Sequence, residues 1–299
     1  MSINSTKFAI NIVSNFKKNN NLNKIKGGEI ALFRSLLWSF KNATQKNVYI
    51  EEHHGTNHQV TFTGNGTYAR SSARCELSDL LLISFNSREA RLTYLQAKYE
   101  NTIVSDVQTH KWKANLEQWF LLNQLPLIKG YGKFNPPADL LNSAKLKSIG
   151  SFGFFHKDLS GDFDLYYASA EHLSLPITYT QRSGKLFVNR TSLNSHLLRQ
   201  FVGFSEKECL EATSLHNFLV QLYNLQVGTP IHINNSISRW IISNLKSLPN
   251  SSLVNDLLKV IDINHDTPLD NQIPKNFNYE LNFGAKKILL IRVNDESIF

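Results

Sequence analysis

The stretch that most constrains the fold is residues 75–100, where two apolar segments flank a short polar connection. Residues 80–85 and 92–98 form the apolar segments, and residues 86–89 are rich in turn-forming side chains. Strand-forming segments joined by a short polar connection are typical of an antiparallel hairpin. We therefore predict an antiparallel hairpin over residues 76–98.

The register of this hairpin brings three polar groups together. A turn centred between Ser87 and Arg88 places Asp79 directly opposite Gln96, and opposed side chains lie roughly 5 Å apart. Because side chains alternate between the two faces of a strand, Lys98 lies on the same face as Gln96. The prediction is a patch that holds a carboxylate, an amide and an amine amid apolar strands.

These groups meet the needs of phosphodiester hydrolysis. Magnesium prefers carboxylate and carbonyl oxygens and keeps several waters, so Asp79, the Gln96 side-chain oxygen and the backbone oxygen of Ala97 are candidate metal ligands. Lys98 could then activate a water molecule or stabilise the charge of a reacting phosphate. The alternative is a simple salt bridge between Asp79 and Lys98 on a half-solvated sheet.

The pattern of Asp79 followed by Gln96-x-Lys98 on the next strand resembles the PD-(D/E)xK restriction-endonuclease-like nucleases. More narrowly, it is similar to their QxK variant, found in some type IV and Mrr-like restriction enzymes. The resemblance implies that Asp79 binds the metal, that Gln96 replaces the usual acid and that Lys98 is the catalytic lysine. It also implies Mg²⁺, with Mn²⁺ as the alternative, and a catalytic, metal-binding glutamate on the first core helix, for which Glu29 is the candidate. The helix dipole is the other explanation for Glu29.

The family core consists of a helix, three antiparallel strands, a helix and a strand, and the predicted elements follow that order with one extra strand before the motif. A capping-box pattern at residues 105–108 predicts that the second helix begins there. The predicted elements are helix 29–41, strands 47–52 and 58–63, hairpin 76–98, helix 105–124 and strand 126–131.

The C-terminal half carries weaker patterns. Strands are predicted at residues 151–155, 163–168 and 286–293, and helices at 194–203, 205–226, 236–248 and 252–261. The fold class is therefore α/β (α+β mixed), with a mixed sheet flanked by helices and a mostly helical C-terminal extension. We expect a basic arm at residues 1–26, a nuclease core at 27–135 and a target-selecting or dimerisation region at 136–299.

The charge distribution favours a polyanionic partner. The chain has a formal net charge of +8, and its first 50 residues contain eight Lys and Arg residues against one acid. Such an arm is expected to attract nucleic acid, although a solvated tail is the alternative. Arg70, Arg74, Lys111 and Lys113 are candidate phosphate contacts, the two lysines lying on the polar face of the predicted helix 105–124.

The remaining features exclude several classes of protein. Two cysteines in 299 residues argue against a disulfide framework and favour the cytoplasm. We expect no membrane partner, since the sequence has no apolar run of about 18 residues. The predicted function is a metal-dependent DNA endonuclease of restriction or phage-defence type, with a homodimer as the candidate assembly. The alternatives are a nuclease-fold binding subunit without catalysis and a structural subunit of a larger complex.

Overall fold

The computed structural model describes residues 4–22, 28–44, 47–52, 58–175, 182–189, 208–231, 235–249, 251–263 and 283–293. Its helices are α1 (Ser5–Leu22), α2 (Glu29–Thr44), α3 (Leu116–Gln124), α4 (Leu215–Tyr223), α5 (Ser236–Leu245) and α6 (Ser252–Ile263). Its strands are β1 (Val48–Glu52), β2 (Gln59–Phe62), β3 (Ala73–Glu76), β4 (Ser78–Phe85), β5 (Ala90–Ile103), β6 (Trp112–Asn115), β7 (Ile128–Gly130), β8 (Gly150–Lys157), β9 (Phe163–Ser169), β10 (Leu173–Ser174), β11 (Ser183–Val188), β12 (Glu211–Ala212), β13 (Thr229–Pro230) and β14 (Ala285–Arg292).

An eight-stranded mixed sheet forms the centre of the fold. Seven strands follow the order β1-β14-β4-β5-β8-β9-β12, and β13 pairs with β5. The ladders β14–β4 and β5–β8 are parallel, whereas β4–β5 and β8–β9 are antiparallel. The mixed α/β fold class predicted from the sequence is confirmed.

Helices cover both faces of this sheet because β4 is apolar on both. Leu80 and Leu82 join the core formed with α1, α2 and α4. Leu81 and Ile83 join the core formed with α3, α5 and α6. Strand β4 is buried along its whole length, so the polar groups at its beginning stand out against an apolar surrounding.

The predicted hairpin and its register are confirmed. Leu80 pairs with Leu95, which is the register that sets Asp79 against Gln96. In the turn, the Asn86 amide donates to the Glu89 carbonyl at 3.0 Å, and the Asn86 side-chain oxygen accepts from the backbone amide of Glu89 at 2.9 Å. The Asn side chain thus closes the turn that fixes the register.

The chain leaves the central sheet on either side of this hairpin. Strands β3, β2 and β7 form one three-stranded sheet, and β10, β11 and β6 form another. Leu77 alone separates β3 from β4, and its amide donates to the His58 carbonyl at 2.9 Å. The start of β4 is therefore a corner between two sheets.

The capping-box prediction at residues 105–108 was wrong. The Asp106 side chain instead accepts from the Gln108 amide at 2.9 Å within a turn, and residues 112–115 pair with β11 as β6. Helix α3 begins at Leu116, where the Asn115 side chain accepts from the amides of Glu117 and Gln118. A tertiary strand pairing overrides the local helix signal here.

The spatial order also corrects the expected nuclease core. The predicted strand 126–131 forms β7, which pairs with β2 rather than joining the central sheet. The central strand that follows α3 is β8, parallel to β5. Strand β14 lies between β1 and β4, so β1, β4 and β5 are not consecutive neighbours in the sheet. The place beside β4 is taken by an apolar strand from far along the chain.

The C-terminal half is not mostly helical in its described part. It supplies β8, β9 and β14 to the same sheet as the motif hairpin, because these strands are apolar enough to be buried. The predicted helix 194–203 lies outside the described residues. Of the predicted helix 205–226 the structure describes residues 208–226, of which Leu215–Tyr223 are helical, after strand β12.

The predicted N-terminal arm includes α1, which packs on the body of the protein. Phe8, Ile12 and Phe16 are buried in the core, and the Lys17 ammonium lies 3.0 Å from the Asp162 carboxylate. None of the described helices combines the length and apolar character needed to cross a bilayer.

Candidate active site

A polar row crosses three adjacent strands at the corner where β4 begins. The parallel ladder of β14 and β4 pairs Lys287 with Leu80, which places Lys286 beside Asp79. The β4–β5 register places Gln96 on the other side of Asp79. The fold therefore brings an amine, a carboxylate and an amide side by side.

Asp79 holds β4 and β5 together where the regular ladder between these two strands ends. Its side chain is 11% exposed, and its Oδ2 accepts from the Ala97 amide at 3.0 Å. Its Oδ1 accepts from the Lys286 ammonium at 3.0 Å. Because each carboxylate oxygen has a second lone pair, both retain capacity for a further partner.

Lys98 lies next to Asp79, as the sequence predicted. Its Nζ is 4.0 Å from the Asp79 Oδ2 and its side chain is 18% exposed. The same Nζ donates to the Ala97 carbonyl at 2.7 Å. The Ala97 carbonyl, a predicted metal ligand, is therefore engaged with Lys98 in this structure.

Gln96 is fully buried and has one unsatisfied atom. Its Nε2 donates to the carbonyls of Glu76 and Leu77, each at 3.3 Å. Within the described residues, its Oε1 has no hydrogen-bond partner. Two carbonyl acceptors require an amide donor, so they fix the orientation of the side chain and leave the oxygen free to accept.

Glu29 joins this group from the first turn of α2. Burial raises the pKa of its carboxyl above the ordinary value. Lys98 lowers that pKa and Asp79 raises it, with weaker opposing effects from Lys286 and Glu76. The Glu29 carboxyl is therefore close enough to these four groups to interact with them electrostatically.

Sequence reasoning missed Glu76 and Lys286. The Lys286 ammonium lies 2.7 Å from the Glu76 Oε2 and 3.0 Å from the Asp79 Oδ1. Burial lowers the pKa of Lys286, but the two carboxylates outweigh that effect and raise it overall. The available signal was a pair of lysines at the start of a strongly apolar strand, since one of two adjacent strand residues must face each side of the sheet.

Arg70 and Arg74 have different environments. Arg70 forms an ion pair with Glu117, with Nε and Oε1 2.6 Å apart, and the Glu117 side chain is only 1% exposed. The Arg74 guanidinium stacks over the Tyr131 ring at 4.5 Å from its centroid. Arg74 is thus on an exposed face of the small sheet, whereas Arg70 neutralises a buried acid.

Lys111 and Lys113 are exposed. The prediction that both lie on a helix was wrong. Lys113 belongs to β6, where it pairs with Lys185 of β11, and its backbone amide donates to the Glu100 Oε1 at 2.6 Å. The correction follows from the strand pairing that delays the start of α3.

The residues present fit a magnesium ion with few protein ligands. The described parts of the chain contain no group of three or more His, Cys, Asp and Glu side chains arranged to hold a metal. Magnesium, however, keeps several waters and is often held by one or two carboxylates. Asp79 supplies a carboxylate, and the orphaned Oε1 of buried Gln96 supplies a neutral oxygen that otherwise lacks a partner.

Comparisons with known proteins found no matching family model, curated protein or solved structure.

Proposed function

We propose that this protein is a magnesium-dependent DNA endonuclease that hydrolyses phosphodiester bonds at the Asp79–Gln96–Lys98 site. The observation that carries the proposal is the unpartnered Gln96 Oε1 in the same row of the sheet as Asp79, with Lys98 4.0 Å from that carboxylate. Leaving a buried oxygen without a donor costs about 1–3 kcal/mol. A metal ligand role would compensate for that cost.

Each protein group has a defined task in this proposal. A bound magnesium ion would supply Lewis-acid activation of a water and of the scissile phosphate. Asp79 and Gln96 hold the ion, and the Ala97 amide orients the Asp79 carboxylate. Lys98 holds a positive charge beside the reacting phosphate, and the Ala97 carbonyl positions its ammonium. Glu29, whose pKa is raised by burial, is the group proposed to exchange a proton at the site.

The polyanionic substrate follows from charge, and the biological setting follows from the motif. A net charge of +8 and an exposed Arg74 favour phosphate contacts. Restriction or phage defence in the cytoplasm is proposed from the resemblance to QxK nucleases. Cys75 and Cys209 are both free thiols, as expected for a reducing compartment. A homodimer would present two such sites for cutting both strands of a duplex.

The second candidate is a DNA-binding subunit without catalysis. It is favoured by the Lys286 ammonium, which already neutralises both Asp79 and Glu76. In that case DNA binding would need no metal and would be unaffected by Asp79→Ala.

Cleavage of DNA with Mg²⁺ separates the two candidates. Plain plasmid, modified phage DNA and single-stranded DNA would be offered to the parent, Lys98→Ala and Lys287→Ala. Lys287 is the matched control, because it is a mostly buried lysine, like Lys98, and is paired with Glu52 at 2.7 Å. We expect cutting by the parent and Lys287→Ala but not by Lys98→Ala or with a chelator. Tight metal-independent binding without cutting of any substrate would instead support the binding subunit.

A further inference from the structure

Lys286 occupies the space between two carboxylates of the candidate site. Its ammonium contacts Glu76 at 2.7 Å and Asp79 at 3.0 Å, and its side chain is 40% exposed. Two carboxylates held this close repel each other unless a cation lies between them. Lys286 therefore supplies a positive charge between Asp79 and Glu76 that offsets their mutual repulsion.

The ammonium also lies against Oδ1, one of the two Asp79 oxygens that a metal could use. The other oxygen, Oδ2, accepts from the Ala97 amide at 3.0 Å and lies 4.0 Å from Lys98. Oδ1 faces Lys286 at 3.0 Å. Because magnesium approaches its oxygen ligands to about 2.0–2.1 Å, an ion on Oδ1 would be in repulsive contact with the ammonium.

Glu76 can hold the Lys286 ammonium if a metal displaces it from Asp79. Its contact with Lys286 is the shorter of the two, and its backbone carbonyl is held by the Gln96 amide at 3.3 Å. The lysine can therefore release Asp79 without losing its counter-charge. Gln96 links Glu76 to the proposed metal site. Its Nε2 holds the backbone of Glu76, and its Oε1 is the proposed metal ligand.

We infer that Lys286 is a resident cation that competes with a divalent metal for Asp79 and shifts onto Glu76 when the metal binds. This inference rests on the proposed function, because it takes Asp79 as the metal ligand. It goes beyond that function by assigning a regulatory role to a residue of β14, far from the motif in sequence. Removing the ammonium should tighten metal binding, although it removes a favourable ion pair.

A titration with Mn²⁺, followed by the electron paramagnetic resonance signal of the free ion, measures this competition without any cleavage. The variants are Lys286→Met, Lys286→Gln, Lys287→Met and Asp79→Asn, each checked for folding by circular dichroism. Lys286→Gln removes the charge but retains a donor for Glu76, which protects the test if Lys286→Met does not fold. Lys287→Met is the control, since Lys287 is the next residue and pairs with Glu52.

We expect both Lys286 variants to bind Mn²⁺ at least tenfold more tightly than the parent, and Lys287→Met to bind within about twofold of it. Asp79→Asn should abolish this binding. Unchanged or weaker binding by folded Lys286 variants, with the parent still binding through Asp79, would overturn the inference and leave the proposed metal site intact. Binding by none of the proteins, Lys286 variants included, would overturn both.

Discussion

The Gln96 side-chain amide donates to the backbone carbonyl of Glu76 across the corner between two sheets, at 3.3 Å. The adjacent Leu77 carbonyl accepts from the same nitrogen at 3.3 Å. An amide suits this position and a carboxylate does not, because a carboxylate would face two acceptors without a proton to donate. The presence of a glutamine rather than an acid at residue 96 thus has a physical reason in this chain.

Gln96→Glu is therefore expected to destabilise the protein despite the near-identical shape of the two side chains. The loss of the two donated hydrogen bonds and the burial of a charge should lower the free energy of unfolding by at least about 1–3 kcal/mol. Urea unfolding at pH 7 measures this change. Gln118→Glu is a comparison on the buried side of α3. Equal stability of the parent and Gln96→Glu would contradict the role assigned to the amide.

Glu29→Gln is expected to stabilise the protein at neutral pH. Burial raises the folded-state pKa of Glu29, so protonation favours the folded state. That stabilisation is complete when the pH is below the pKa of Glu29 in the unfolded chain. It is lost as the pH rises through the pKa of Glu29 in the folded protein. The advantage of Glu29→Gln should thus grow from about pH 4 to pH 7. Thermal unfolding of both proteins across this range measures it, and an advantage that does not change with pH would contradict the assignment.

Both thiols should resist alkylation in the folded protein. Burial raises the pKa of Cys209 to about 12 and that of Cys75 well above its ordinary value. Since the thiolate is the reactive form, iodoacetamide at pH 8 should label neither residue until a denaturant is added. Mass spectrometry with and without urea gives the comparison. Rapid labelling of native Cys209 would show that its surroundings open readily.

Arg74 and Arg70 should differ in their contribution to DNA binding. Thr61 pairs with Arg74 on one side and with Lys129 on the other, so these exposed cations flank one residue of the small sheet. Arg74→Ala is expected to reduce the slope of log affinity against log salt by about 0.9. Arg70→Ala should leave the slope unchanged and lower stability, because it removes the closer of the two arginines that pair with the buried Glu117. A salt titration of binding to a duplex measures the slopes, and equal slopes for the parent and Arg74→Ala would exclude a phosphate contact.

The hairpin was predictable because its determinants are local. The length and chemistry of the polar connection between the apolar segments 80–85 and 92–95 fix the register, since the turn of a hairpin sets which residues pair. The turn side chain Asn86 acts on its own neighbours. Asp79, Gln96 and Lys98 could therefore be placed together from the sequence alone.

Long-range pairings were not predictable in the same way. Lys286 contacts Asp79 across 207 residues of sequence, and no local pattern specifies which strand becomes the neighbour of β4. The false capping box at Ser105 failed for a similar reason, because the pairing of β6 with β11 decides where α3 begins. Periodicity identifies an apolar strand such as β14, but its place in the sheet depends on the whole fold.

The position of β14 between β1 and β4 has a consequence for the timing of synthesis. A ribosome that has added residue 135 has completed the entire nuclease-like motif, yet β1 and β4 still lack the strand that joins them. The backbone edge of β4 stays unpaired, and Asp79 lacks the neighbouring strand, until residues 285–292 emerge. An unfinished chain thus carries the motif without the assembled site, so any activity would be withheld until translation has passed β14.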